Sequence, residues 1–275
     1  MRSVKSFLAA GAATLISSMA FAADMPIAAP PMYAPPALAD FGGWYLRGDI
    51  GFSNQRVDRL NNVLDANTTS SVQTLNFNSA GIFGLGAGYR FNNWFRADVT
   101  GEYRGNSQFF GTDRITFPGG VGTDTYHATK NEWVVLANAY VDLGTWWCIT
   151  PFVGAGIGTA RVAINGFTDQ GIVNIGAGAL PGLAFGDNVA KWNFAWAAHA
   201  GLAYKVSPAF TVELAYRYLD MGDGLTGDLK TFDGTNAVVN PTTFKHITSQ
   251  DLKLGVRWNL DNPPVYAPPP LVTKG

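Results

Sequence analysis

From Trp44 to Ser53 the chain reads WYLRGDIGFS, and its side chains fall on two faces in strict turn. Trp44, Leu46, Gly48, Ile50 and Phe52 share one face; Tyr45, Arg47, Asp49, Gly51 and Ser53 share the other. A period of two with unlike faces is the mark of a β-strand. The same phrase structure returns along the chain. Phe95, Ala97, Val99, Gly101 and Tyr103 alternate with Arg96, Asp98, Thr100, Glu102 and Arg104. Trp192, Phe194, Trp196, Ala198, Ala200, Leu202 and Tyr204 alternate with a face carrying Lys191, Asn193, His199 and Lys205. Phe210, Val212, Leu214, Tyr216 and Tyr218 oppose Thr211, Glu213 and Arg217. Leu252, Leu254, Val256, Trp258 and Leu260 oppose Asp251, Lys253, Arg257 and Asn259. Three more segments, IFGLGAGYRF, EWVVLANAYVDL and PFVGAGIGTA, bring the strands to about eight of roughly ten residues, the length a tilted strand needs to cross a bilayer. In the last of them Val153, Ala155 and Ile157 are assigned outward.

Alternation alone fits a soluble sandwich as well as a membrane barrel. The decision comes from the ends of the apolar faces. Trp44 and Phe52, Phe95 and Tyr103, Trp192 and Tyr204, Phe210 and Tyr218, with Trp258, place aromatics at both edges of an apolar band, as in a membrane barrel. Charged residues make up only 14% of the chain, against the usual quarter, which is sparse for a water-facing surface. Links also alternate in length. Asn92-Asn93, Gly144–Cys148 and Val206–Pro208 are short, whereas 54–76, 105–125, 162–190 and 221–245 are long. The expected fold is all-β: an eight-stranded antiparallel up-and-down transmembrane barrel over residues 43–260, with short periplasmic turns and long outer loops.

Residues 1–22 have the form of a cleaved secretory signal. Arg2 and Lys5 lead a short apolar run that ends at Ala20-Phe21-Ala22. Cleavage leaves 17 basic against 20 acidic side chains, so no nucleic-acid partner is expected. Cys148 is the only cysteine, which excludes an internal disulfide. PPMYAPP and PPVYAPPP flank the barrel as Pro-rich periplasmic segments, 23–42 and 261–275. An even strand count returns both to the same side. Such segments resist joining a sheet and serve as spacers, or as a paired dock for the cell wall.

GWYLRGDIGF, PFVGAGIGTA, AYRYLDMG and LKLGVRWNL, in that order, resemble the first, fifth, seventh and closing strands of the small outer-membrane β-barrels, the OmpA-transmembrane-domain and opacity-type surface proteins of the porin family. The resemblance implies a Gram-negative outer-membrane address among lipid and lipopolysaccharide, assembly by the barrel-insertion machinery, and a surface or envelope-integrity role. Some members act as adhesins, haem binders or modest pores. Members usually end on an aromatic residue; here Trp258 is expected to take that part, ahead of the tail.

The inward faces carry Arg47, Asp49, Arg90, Arg96, Asp98, Glu102, Arg104, Glu213, Arg217, Asp251, Lys253 and Arg257. These charges line an ion pathway or pair off into a plug. Eight strands enclose only enough room for side chains, and this favours the plug. Glu213 is expected to pair with Arg257 or Lys253. An enzyme would need a base with fixed partners. His127, His199 and His246 show none, so no catalytic residue, cofactor or metal is assigned. His127 and His246 read as solvated loop residues. Asp220, Asp223, Asp228 and Asp233 read as turn chemistry rather than a calcium loop. The apolar segment INGFTDQGIVNIGAGALPGLAF is expected to fold over the mouth or to form a contact surface. The chain is read as a monomeric, non-enzymatic surface barrel with a plugged bore. A narrow channel and a haem- or host-binding adhesin are the alternatives.

Overall fold

The computed structural model describes residues 43–260; the signal segment and both Pro-rich segments lie outside the described residues. Eight strands close a ring: β1 (Gly43–Arg56), β2 (Ala80–Arg90), β3 (Phe95–Phe117), β4 (Gly120–Asp142), β5 (Ile149–Asn174), β6 (Val189–Lys205), β7 (Phe210–Asp220) and β8 (Thr248–Asn259). Each pairs antiparallel with its neighbours in sequence, and β1 closes on β8 from Tyr45 opposite Asn259 to Arg56 opposite Thr248. A closed ring leaves no unpaired edge, as hydrocarbon demands.

The two faces sort by chemistry. Ile50, Phe83, Leu85, Leu202, Leu214 and Leu254 are exposed to the surroundings, while Arg47, Asp98, Glu102 and Arg217 are buried in the bore. In β5, Val153 and Ile157 are exposed, so the outward parity assigned there stands. Close packing inside sets the glycines: a Cβ on Gly154 would come 2.5 Å from the Tyr140 ring.

Three strands overrun their expected length. β3 and β4 have 23 residues each and β5 has 26, where about ten cross a bilayer. The stretches read as long links at 105–125 and 162–190 are therefore largely strand. Two irregularities explain the difference. The register of β3 slips between Arg104 and Ser107, so inward positions pass from even numbers, ending at Arg104, to odd numbers beginning at Ser107 and Phe109. In β5, inward Ile164 is followed by inward Phe167 across Gly166, whose φ of +59° suits glycine. Above these bulges the polarity of the two faces inverts. Phe109, Tyr126 and Phe167 turn inward, while Thr112, Arg114 and Thr116 face out.

This crown gains further pieces. Ser70–Phe77 pairs with the top of β3, and Ala179–Gly186 pairs with the top of β5. Arg59–Asn61, Thr243–Lys245 and Gly224–Leu225 form a separate three-stranded sheet that joins the first and fourth long loops. A short 3-10 helix, Val63–Asn67, is capped by Asn62, with Asp65 returning the bond.

Candidate functional site

Among the described residues the bore holds one connected ion-pair network. Seven cations (Arg47, Arg96, Arg104, Lys130, Arg217, Lys253, Arg257) meet seven anions (Asp49, Asp98, Glu102, Glu132, Asp142, Glu213, Asp251). Its centre is Arg217, which donates to both oxygens of Glu102 at 2.8 and 2.6 Å and to Asp251 at 2.9 Å through Nε. Arg104 grips Asp251 from the other side with two bonds of 2.8 Å and reaches Glu132 at 3.2 Å. These forked contacts are the strongest geometry available to a guanidinium and a carboxylate. Lys253 bridges Glu102 to Asp49, 3.3 Å away. Arg47 links Asp49 and Asp98, each at 2.9 Å, and donates to the Tyr140 hydroxyl at 3.0 Å.

Toward the turn end Glu213 gathers three guanidiniums: Arg257 at 2.9 Å, Arg96 at 3.3 Å and Arg47 at 3.5 Å. Of the two partners expected for Glu213, the bore supplies Arg257; Lys253 goes to Asp49 and Glu102. Arg96 also reaches Asp142 at 3.2 Å and lies 4.2 Å over the Tyr140 ring, so its flat faces meet π-density where they lack oxygens. Arg90, grouped with the inward charges, sits only half-buried at the turn-end mouth.

Sequence reasoning left three members out of the network: Lys130, Glu132 and Asp142. Glu132 and Asp142 alternate with the apolar face of EWVVLANAYVDL, whereas Lys130 lies between the 105–125 link and that segment, outside both. Lys130 is fully buried, bonded to Gln55 and Glu132, with its ammonium 4.5 Å from the Phe77 ring centre. There the ionic layer ends and an apolar one begins. Phe77, Phe109, Phe167 and Phe244 pack with centroids 4.8 to 6.3 Å apart, joined by Tyr126, Leu219, Met221 and Ile247. Phe244 and Ile247, from the fourth long loop, are wholly buried.

Of the two readings of the third long loop, a fold over the mouth or a contact surface, the first is corrected. Ile164 and Phe167 do turn inward, but Ile172, Ile175, Leu180, Leu183 and Phe185 stand exposed on a projecting hairpin. The cover comes from the fourth loop. Its signal in the sequence was the pair Phe244 and Ile247, apolar residues amid polar neighbours.

The fourth loop is tied down by the histidine read as solvated. His246 presents Nδ1 to Asp58 at 2.7 Å and Nε2 to Asp220 at 2.9 Å, and its backbone N–H donates to Asp223. Both ring nitrogens can donate only in the imidazolium, so Asp58, helped by Asp220, raises its pKa above the usual value. The loop carboxylates are spent locally: Asp223 also takes Lys245, Asp228 accepts from Asn236 and Asn240, and Asp233 from Thr231 and Thr235. His199 lies in the bore beside Asn138, 3.2 Å away, and His127 packs edge-on against Phe110 outside. Among the described residues none of the three histidines is hydrogen-bonded to a serine hydroxyl.

The aromatics expected as girdles take two levels. Trp44, Phe95, Tyr204, Phe210 and Trp258 lie near the turn end, where Trp44 packs on Tyr89 and Phe210 stacks on Trp258. Phe52, Tyr103, Trp192 and Tyr218 lie toward the crown, with Tyr103 against Trp133 and Tyr218 against Trp196.

A closed eight-stranded ring with lipid-compatible outer residues and a side-chain-filled interior defines a small membrane-spanning β-barrel. The chain belongs to the family described as the outer membrane protein beta-barrel domain, whose model matches residues 8–259. It is 32% identical to an uncharacterised protein of Brucella suis over 75% of this chain and 78% of that one. It is 28% identical to the outer membrane protein PagN of Salmonella typhimurium over 66% of this chain and 75% of PagN. Among solved structures, the outer membrane protein OprG of Pseudomonas aeruginosa aligns with a TM-score of 0.45 at 12% identity, covering 82% of this chain and 98% of that chain. The address is thus the outer membrane of a Gram-negative cell.

Proposed function

We propose that this protein is a non-conducting, non-enzymatic surface barrel that stiffens the envelope and presents its crown for contact outside the cell. The observation that carries the reading is the doubly filled bore: a charge-balanced ionic layer below an apolar layer sealed by Phe244. A rigid, closed barrel suits display rather than transport. The crown's contact face is the hairpin of β5 and Ala179–Gly186, whose Ile172, Ile175, Leu180 and Leu183 lie exposed together. Grouped exposed apolar side chains mark interaction surfaces. A relative in Rickettsia rickettsii, 28% identical over 79% of this chain, bears the name of a candidate adhesin, and this agrees with such a role. Insertion by the barrel-assembly machinery would read Trp258 in the closing strand. Lipid and lipopolysaccharide would surround the barrel as a monomer.

The contact role is tested by attachment of cells displaying the protein to a cultured epithelial layer. Changing Ile172, Ile175, Leu180 and Leu183 together to Ser is expected to lower attachment about tenfold, since a few apolar anchors dominate such interfaces. The unheated barrel should still migrate as a compact band. Unchanged attachment by a correctly folded variant would remove the hairpin from the role.

A further inference from the structure

The outward row of β5 runs Val153, Ala155, Ile157, Thr159 and then Arg161. Arg161 is an arginine on the lipid face. Its partner across the ladder is Trp133 on β4 and, on the other side, Trp192 on β6. Both indoles are exposed, 50% and 57%, and Tyr103 extends the band from Trp133 at a centroid distance of 5.0 Å. Tryptophan and tyrosine collect where headgroups meet the hydrocarbon. The ladder therefore sets the guanidinium at headgroup height on the crown side.

Arg161 differs from the seven cations of the bore. Each of those has a carboxylate within ion-pair distance, whereas among the described residues Arg161 has neither an ion pair nor a hydrogen-bonded partner. Its apolar stem can lie along the barrel wall while the head reaches the interface. A planar guanidinium with free donors matches a phosphate, which it can grip with two parallel bonds. The flanking indoles would cover the first carbons of acyl chains beneath that phosphate.

We infer that Arg161, between Trp133 and Trp192, is a binding site for the phosphate of an outer-leaflet glycolipid, one per barrel. The inference stands apart from the contact role of the hairpin. The crown end commits the site to the outer leaflet, so the source is the phosphorylated lipid portion of lipopolysaccharide.

The test is native mass spectrometry of the full-length barrel in detergent, titrated with bisphosphorylated lipid A. One retained lipid is expected for the unchanged protein. Arg161→Gln should weaken retention about tenfold, the loss of one charge-assisted contact. Arg161→Lys should fall between, and Arg114→Gln, higher on the crown, should match the unchanged protein. Migration of the unheated variants on a detergent gel establishes that each is folded. Equal retention by Arg161→Gln and the unchanged protein would overturn the site. So would equal retention of lipid A stripped of phosphate, and equal retention of phosphatidylglycerol would overturn the glycolipid assignment.

Discussion

Changing Glu213→Gln is expected to lower the stability of the detergent-solubilised barrel by about 3–5 kcal/mol, the usual cost of breaking a buried ion pair from one side. Glu213 is the shared anion of Arg47, Arg96 and Arg257. Arg47 and Arg96 keep Asp49, Asp98 and Asp142, but among the described residues Arg257 has no other carboxylate within ion-pair distance. The amide would leave seven cations with six anions in a bore too narrow for bulk water. A second change, Arg257→Gln in the same chain, rebalances the count and should recover part of the loss. The check is the urea midpoint of the heat-modifiable gel band for the two single variants and the double. An unchanged midpoint for Glu213→Gln, or a double variant as unstable as the two single losses added, would contradict a balanced network.

Leu214→Arg is expected to cost about 2–4 kcal/mol, the penalty for arginine on the lipid face at mid-bilayer. Leu214 faces outward, with Leu254 across the ladder on one side and Leu202 on the other. Ile50 lies beyond Leu254, which continues the apolar belt around the barrel. An arginine there must drag water inward or bend its head a long way to a headgroup. Thr69→Arg, at an exposed position in the crown, should cost little. Folding titrations into lipid vesicles compare the two directly. Equal penalties would mean that the lipid-facing register of β7 is misassigned.

How much of this was legible in the sequence follows from what surrounds each strand. Between the girdles the outer face must be apolar, so Leu214, Leu254 and Ile50 declare their side, and Arg47, Glu102 and Arg217 declare the other. The interior charges were readable because between the girdles a charge facing lipid is costly, so the charged side of a strand there is its inner side. Above the girdles that constraint disappears. Outer positions such as Thr112 and Arg114 become polar, inner ones such as Phe109 become apolar, and the bulge after Arg104 shifts the count at the same point. A period that inverts and slips at once does not read as one continuous strand, which is why Lys130, just ahead of EWVVLANAYVDL, and the upper aromatic layer escaped notice. The clasp of His246 joins residues 188 positions apart in sequence, Asp58 and His246, and only the meeting of the first and fourth loops reveals it. Arg161 was passed over for a similar reason: its meaning lies in Trp133 and Trp192, which the ladder, not the sequence, sets beside it.

The plug itself is tested most directly by conductance. Purified full-length protein, reconstituted into a planar lipid bilayer and shown by protease protection to be inserted, should stay electrically silent across the voltage range in which open barrels conduct. On the function proposed above, the ionic layer around Arg217 and the apolar layer around Phe244 would deny ions a continuous water path. Steady, discrete openings from the inserted protein would contradict the plug and make the barrel a narrow channel.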